Sequence, residues 1–442
     1  MHKWNLSYIQ MIAIGFLLII IIGGLLLSLP VASRDGISTP IVDSLFTATS
    51  ATCVTGLVAY DTYTHWSLFG QIIILVLIQI GGLGFMTIAT LFSMFLRRKI
   101  GLRERELLRE SVNTMYVGGV VRLVRNILLG TFVIEGLGAL LLCWRFCPQM
   151  GLREGIYYAI FHSVSAFCNA GFDLMGRFGE FSSLTTYAGD GLVNTVIMAL
   201  IIIGGLGFFC WEDIRTNKFK FRKYRLHTKI VLVTSACLII IPALAIFSID
   251  HSLKEMGNAT ALLASFFQSV TARTAGFNSV DLLPLSGGTV FLIIALMIIG
   301  GSPGSTAGGI KTTTFATLVM TSFAVVKGRN SLWAFERHLE DDIIRRSVAV
   351  FFIYMALACL SAVVLGATET FPLTKIFFEI ISAMSTVGLT LGITPELSDF
   401  SKIWLAFLMY FGRVGVLSII LTFIKPPVTT TIQYPSEKIL IG

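Results

Sequence analysis

One pattern recurs four times along this chain and limits what it can fold into. A phenylalanine opens a short segment and a lone glycine closes it ten residues later: Phe46 and Gly56, Phe161 and Gly171, Phe266 and Gly276, Phe378 and Gly388. The glycines lie roughly a hundred residues apart, so each marks the same point in a repeated unit. Each unit reads as an apolar helix, a half-helix of about 11 to 15 residues, the glycine stretch and a second apolar helix. Such a half-helix is too short to cross ~30 Å of hydrocarbon, and its Ser, Thr and Asn residues are too polar to face lipid.

With 55% hydrophobic and 13% charged residues and a mean hydropathy of +0.82, this is a polytopic membrane protein. The pattern predicts an all-α fold of four tandem M1, pore helix and M2 repeats: eight transmembrane helices and four re-entrant half-helices around a central pore. The repeats fall at 1–100, 101–218, 219–330 and 331–425, with a C-terminal tail at 426–442. First helices are expected at 8–29, 123–147, 228–249 and 346–367, and half-helices at 41–52, 153–167, 259–272 and 373–384. Second helices are expected at 69–96, 190–212 and 402–424, with a longer segment at 288–326 in the third repeat. Lys3 and Val31-Ala32-Ser33 resemble a cleavable signal, but the apolar run at 8–29 exceeds the ~7 to 15 residues of a signal-peptide core and reads as a membrane span.

Two crossings per unit give all four the same orientation, as parallel repeats. Most of the 33 basic residues sit at Lys3, in the linkers 97–125, 215–229 and 327–346, and at Lys425 and Lys438. By the positive-inside rule, both termini and all three linkers are cytoplasmic, and the half-helices enter from outside a cell membrane. The net charge of +8 follows from this bias and does not point to nucleic acid. The seven cysteines show no paired Cys-x-x-Cys spacing, so neither a metal site nor a disulfide framework is indicated.

Non-helical backbone survives at membrane depth only where protein or a water-filled cavity satisfies it. Four stretches in one orientation can surround a single axis: Val54, Thr55 and Gly56; Asn169, Ala170 and Gly171; Thr274, Ala275 and Gly276; Thr386, Val387 and Gly388. Their carbonyls form a ring able to replace a cation's hydration shell, and glycine supplies the positive φ that keeps successive carbonyls on one side. Half-helices aimed C-terminus first add negative partial charge that favours a cation.

In the third repeat the second helix is interrupted by Gly300, Gly301, Ser302, Pro303, Gly304, Ser305, Thr306, Ala307, Gly308 and Gly309, with Lys311 following. Proline and clustered glycines break helical hydrogen bonding, leaving a loop placed to obstruct the pore below the ring; a static kink is the alternative. A nucleotide-binding phosphate loop is excluded because Ile310 separates Gly309 from Lys311 and a membrane helix precedes it. Arg413 lies mid-membrane, where a charge costs ~2.5 to 3.5 kcal/mol and is functional or paired. It is expected to hold the loop's carbonyls or act as an electrostatic barrier, the alternative being a salt bridge to Glu135 or Glu379. Asp61, Asp173 and Asp281, beyond their glycines, either concentrate cations at the mouth or serve as ordinary loop acids.

These stretches and the glycine motifs Gly81-Gly82-Leu83-Gly84, Gly204-Gly205-Leu206-Gly207 and Gly412-Arg413-Val414-Gly415 resemble the Ktr/Trk/HKT superfamily of potassium transporters, over nearly the whole chain. Eight crossings make the chain most similar to the KtrB membrane subunits of bacterial Ktr systems. The resemblance implies K⁺ uptake, Na⁺ as activator or co-ion, a homodimer with one pore per protomer, and a cytoplasmic ring of KtrA-like subunits that bind nucleotide. It also makes the loop an intramembrane gate. Each unit keeps one glycine of the potassium-channel Thr-Val-Gly-Tyr-Gly signature, so discrimination between K⁺ and Na⁺ is expected to be weaker. The pattern shows no His-Glu-x-x-His, Gly-x-Ser-x-Gly or paired intramembrane carboxylates, so it is not that of an enzyme. A secondary transporter of another monovalent cation or small solute, which would favour inverted repeats, is the alternative.

Overall fold

Each repeat begins with a long apolar helix whose side chains cannot all be buried. The computed structural model, which describes residues 8–84, 87, 106, 120–218, 220–329 and 331–415, places these four helices at Tyr8–Leu27 (α1), Val120–Met150 (α4), Leu226–Ile249 (α8) and Asp341–Thr368 (α12). All four are long and apolar enough to span a membrane. Leu18, Ile22 and Leu25 on α1, Leu137 and Leu140 on α4 and Val363 on α12 stay exposed, the pattern of a lipid-facing surface.

The half-helices are Ile41–Cys53 (α2), Leu152–Phe167 (α5), Asn258–Thr271 (α9) and Leu373–Ser385 (α13). They are the most enclosed elements: every residue from Phe46 to Cys53 and from Phe378 to Ser385 is buried. The second helices start at Leu68–Leu83 (α3), Gly191–Gly205 (α6), Gly287–Ile298 (α10) and Asp399–Val414 (α14). A side chain caps each of them: Ser67, Asp190, Ser286 and Ser398 accept backbone N–H bonds from the first turn.

The second helices correct the sequence reading. Continuous helices were expected at 69–96, 190–212 and 402–424, but all three stop just before the last glycine of their motif, with φ of 81° at Gly84, 91° at Gly207 and 97° at Gly415. A positive φ lies outside the right-handed helix, so the ladder stops there. In the second repeat the chain resumes as Phe208–Asn217 (α7) after a bend of 95°. The far parts of the spans 69–96 and 402–424, Lys3, the bases at 97–119, Lys425, Lys438 and the tail 426–442 lie outside the described residues. In the third repeat, Thr312–Val326 (α11) follows the loop, and the last linker carries a hairpin, Trp333–Ala334 with Arg337–His338, that the sequence did not suggest.

The third half-helix is shifted by one residue. Phe46, Phe161 and Phe378 are buried, but Phe266 is partly exposed and Phe267 takes the interior position. Its helix stops at Thr271, and Ala272 and Arg273 fill the longer turn to Gly276. Two adjacent phenylalanines fit either register by spacing alone; burial selects the second.

Three seams between repeats are covalently linked, whereas the fourth, between the last repeat and the first, is closed by side chains. Lys402 Nζ on α14 donates to Asp43 Oδ1 on α2 at 2.7 Å, with side chains only 9% and 8% exposed. Tyr60 donates to the other Asp43 oxygen at 3.3 Å, and Tyr410 reaches the Ala13 carbonyl at 2.8 Å. Removing one partner of a buried pair leaves an uncompensated charge. Lys402→Met is therefore expected to destabilise the purified protein by about 3 to 5 kcal/mol in thermal unfolding, with Asp43→Leu in the same chain restoring most of the loss.

Candidate permeation site

The four glycine stretches meet end to side in a closed circle. A Cβ built on Gly56 would come within 2.5 Å of the Ala170 carbonyl oxygen, one on Gly171 within 2.8 Å of Ala275 O, and one on Gly276 within 2.5 Å of Val387 O. One on Gly388 would overlap Thr55 O, which returns to the first repeat. Each glycine thus abuts the backbone of the next repeat in the order one, two, three, four, one. Only a residue without Cβ fits there, and all four carry positive φ, between 69° and 97°.

Hydrogen bonds fix which way the carbonyls turn. Thr55 N, Ala170 N and Val387 N each donate at 2.8 Å to half-helix carbonyls of Ser50, Ser165 and Ser382, and Ala275 N donates to Thr271 O at 3.0 Å. The peptides are trans, so N–H and C=O point opposite ways. With the N–H directed back at the half-helix, the carbonyls of Val54, Asn169, Thr274 and Thr386 are directed away from it. Ser50 Oγ and Ser382 Oγ accept from Gly56 N at 3.0 Å and Gly388 N at 3.1 Å, which turns the Thr55 and Val387 carbonyls the same way.

The alternation of backbone hand that this requires includes a position the sequence reading missed. Val54, Asn169, Thr274 and Thr386 all adopt positive φ, at 59°, 60°, 71° and 52°. For the three β-branched residues this is an uncommon, strained conformation, held by the surrounding packing. The signal that could have found it is the shared position two residues before each glycine. The Thr55, Thr274 and Thr386 hydroxyls are buried without a hydrogen-bond partner in the protein, among the described residues. Such polar atoms suit an ion or its water.

The first glycine of each second-helix motif serves a different end. Gly81, Gly204 and Gly412 press against the carbonyls of Thr52, Phe167 and Met384 at the ends of their own half-helices, closer than any Cβ would allow. They let the second helices approach the collar from below.

The loop of the third repeat crosses directly under it. Its neck is tied where Gly300 N donates to Ile310 O at 2.8 Å and Ile310 N to Ile298 O at 3.2 Å. From there Ser302 N and Thr306 N donate to Gly205 O and Gly204 O of the second repeat at 3.0 and 3.3 Å, and Phe208 N donates to Gly304 O at 2.8 Å. Pro303 O lies against Gly207, Ser305 Oγ holds Ser302 O at 2.7 Å, and Gly309 takes φ 66°. Gly308 packs against Thr386 Oγ1 at the collar itself. Lys311 Nζ donates within the loop, to Ala307 O at 2.7 Å and Gly308 O at 3.2 Å.

Arg413 joins the loop to two other repeats. Its guanidinium donates to Thr306 O in the loop, and to Gly81 O at 2.5 Å and Gly82 O at 3.3 Å in the first repeat. The alternative of a salt bridge does not hold. Glu135 takes its bonds from Gln79 at 3.2 Å, and Glu379 from Thr390 and Thr394. Beyond the first glycine stretch Asp61 is a buried brace: Tyr63 N, Thr64 N and Phe181 N all donate to its carboxylate.

A family model described as a cation transport protein, TrkH, matches residues 12–434. The chain belongs to this family. It is 42% identical to the potassium/sodium uptake protein NtpJ of Enterococcus hirae, over 99% of this chain and 98% of that one. It is also 42% identical to the Ktr system potassium uptake protein B of Bacillus subtilis, over 98% and 96% of the two chains, and 37% identical to the protein of the same name from Vibrio alginolyticus, over 98% and 94%. Among solved structures, the potassium transporter TrkH of Vibrio parahaemolyticus superposes with a TM-score of 0.75 over 96% of this chain and 86% of that one at 16% identity, a likeness of fold. As a TrkH-family chain, this protein is a membrane-embedded cation transporter and not an enzyme.

Proposed function

We infer that this chain takes up K⁺ through the collar formed by Val54–Gly56, 169–171, 274–276 and 386–388, and that the loop 300–309 with Lys311 and Arg413 is its gate. The observation that carries this reading is the closed circle of glycine-to-carbonyl contacts, which turns four distant stretches into one ring of main-chain oxygens. The names of the relatives support K⁺ as cargo, and NtpJ's supports Na⁺ as an activating or accompanying ion. Orientation follows from the basic linkers, with both termini cytoplasmic. The assembly is a homodimer resting on a cytoplasmic ring of KtrA-like subunits, which hold the nucleotide; the Ktr system naming of the relatives supports this plan.

Uptake of rubidium into proteoliposomes, measured beside sodium and an organic cation, tests the reading. Rubidium entry well above protein-free vesicles, sodium entry below it and no organic flux are expected. Organic cation uptake without rubidium uptake would overturn it.

A further inference from the structure

Beyond the glycine, the four repeats stop behaving alike. In the first and fourth, the half-helix serine accepts a bond from the glycine N–H, Ser50 from Gly56 and Ser382 from Gly388. In the second and third, the equivalent hydroxyl reaches past the glycine and donates to the next carbonyl, Ser165 Oγ to Phe172 O at 2.6 Å and Thr271 Oγ1 to Phe277 O at 2.7 Å. Those two carbonyls are drawn back against their half-helices. The Phe277 peptide is held from both ends, since Asn278 N donates to Ser183 Oγ of the second repeat's outer loop at 3.1 Å and Asn278 O accepts from Leu184 N at 2.9 Å. Among the described residues, no hydrogen bond reaches the matching carbonyls of Leu57 and Leu389.

We propose that Ser165 and Thr271 are specificity-determining residues: by holding the Phe172 and Phe277 carbonyls away from the axis, they reduce the outermost oxygen layer from fourfold to twofold. The proposal rests on reading the collar as a filter and concerns only its outer end. The layer at Val54 and its counterparts keeps four oxygens, so a dehydrated ion is well held there. At the outer end it keeps part of its water, and discrimination by carbonyl replacement is lost at that layer. The identity of the hydroxyl does not matter, only its reach, which is why a threonine serves in the shifted third half-helix.

The test compares S165A/T271V with the parent in proteoliposomes, reading the ratio of rubidium to sodium uptake, and locates rubidium by anomalous scattering in crystals of both. Freed carbonyls are expected to turn inward, raising the ratio about threefold or more and adding a rubidium peak at the outer end. An unchanged or lowered ratio overturns the proposal. Thr271→Val alone, expected to give a smaller rise, serves if the double variant does not fold. The hydroxyl-keeping pair S165T/T271S is expected to match the parent, and a shift as large as that of S165A/T271V overturns the assignment to the hydroxyl. Gly276→Ser run in parallel separates the two failures. If its ratio is also unchanged, the filter reading itself is wrong; if it falls while S165A/T271V does nothing, only the outer-layer proposal fails.

Discussion

Serine at position 276 lowers the ratio of K⁺ to Na⁺ uptake by about tenfold or more, an energy difference of ~1.4 kcal/mol or greater. Two costs combine. Gly276 sits at φ 80°, where a side chain adds about 1 to 2 kcal/mol, and its Cβ would stand 2.5 Å from the Val387 carbonyl of the next repeat. Because the four stretches abut in a circle, the displaced carbonyl belongs to a neighbour, and the distortion spreads around the ring. Gly56→Ser should act in the same way through Ala170. Competing rubidium and sodium uptake reads the effect. An unchanged ratio in folded, transport-competent protein would count against the collar as the selective element.

Alanine in place of Arg413 raises basal K⁺ flux about tenfold in protein reconstituted without any cytoplasmic partner. The guanidinium makes three bonds to main-chain carbonyls, one in the loop and two in the first repeat. Hydrogen bonds to charged groups contribute about 1.5 to 3 kcal/mol each, and losing the equivalent of one suffices to shift a closed loop tenfold toward open. Arg413→Lys, with one point charge in place of a planar fork, should fall between the two. Flux per folded transporter is the readout. Parent-like flux from Arg413→Ala would mean that the bonds within the loop and to the second repeat hold it without help.

The half-helices and their glycines were legible because both are governed locally. A polar segment too short to cross and a residue without Cβ are visible in sequence, and the structure puts these helix ends within one residue of expectation. The interrupted third repeat was legible for the same reason. What escaped depended on neighbours. Val54 and Thr386 are β-branched, a type that argues against positive φ, and only their common position two residues before the glycine marks them. The glycines at 84, 207 and 415 end helices inside apolar runs where single glycines are ordinarily tolerated. Asp43 reads as a first-turn acid and Lys402 as a stray base in an apolar helix; only the closed circle brings them together.

That clasp has a consequence for biosynthesis. Its two halves are separated by 359 positions, so a nascent chain carries Asp43 into the bilayer long before its counter-charge has been translated. Until the fourth repeat arrives, the carboxylate has no lysine to pair with, and the ribosome-bound intermediate remains an open horseshoe. Truncation anywhere before position 402 should therefore yield an insertion product that quality-control proteases remove, and not a smaller working transporter.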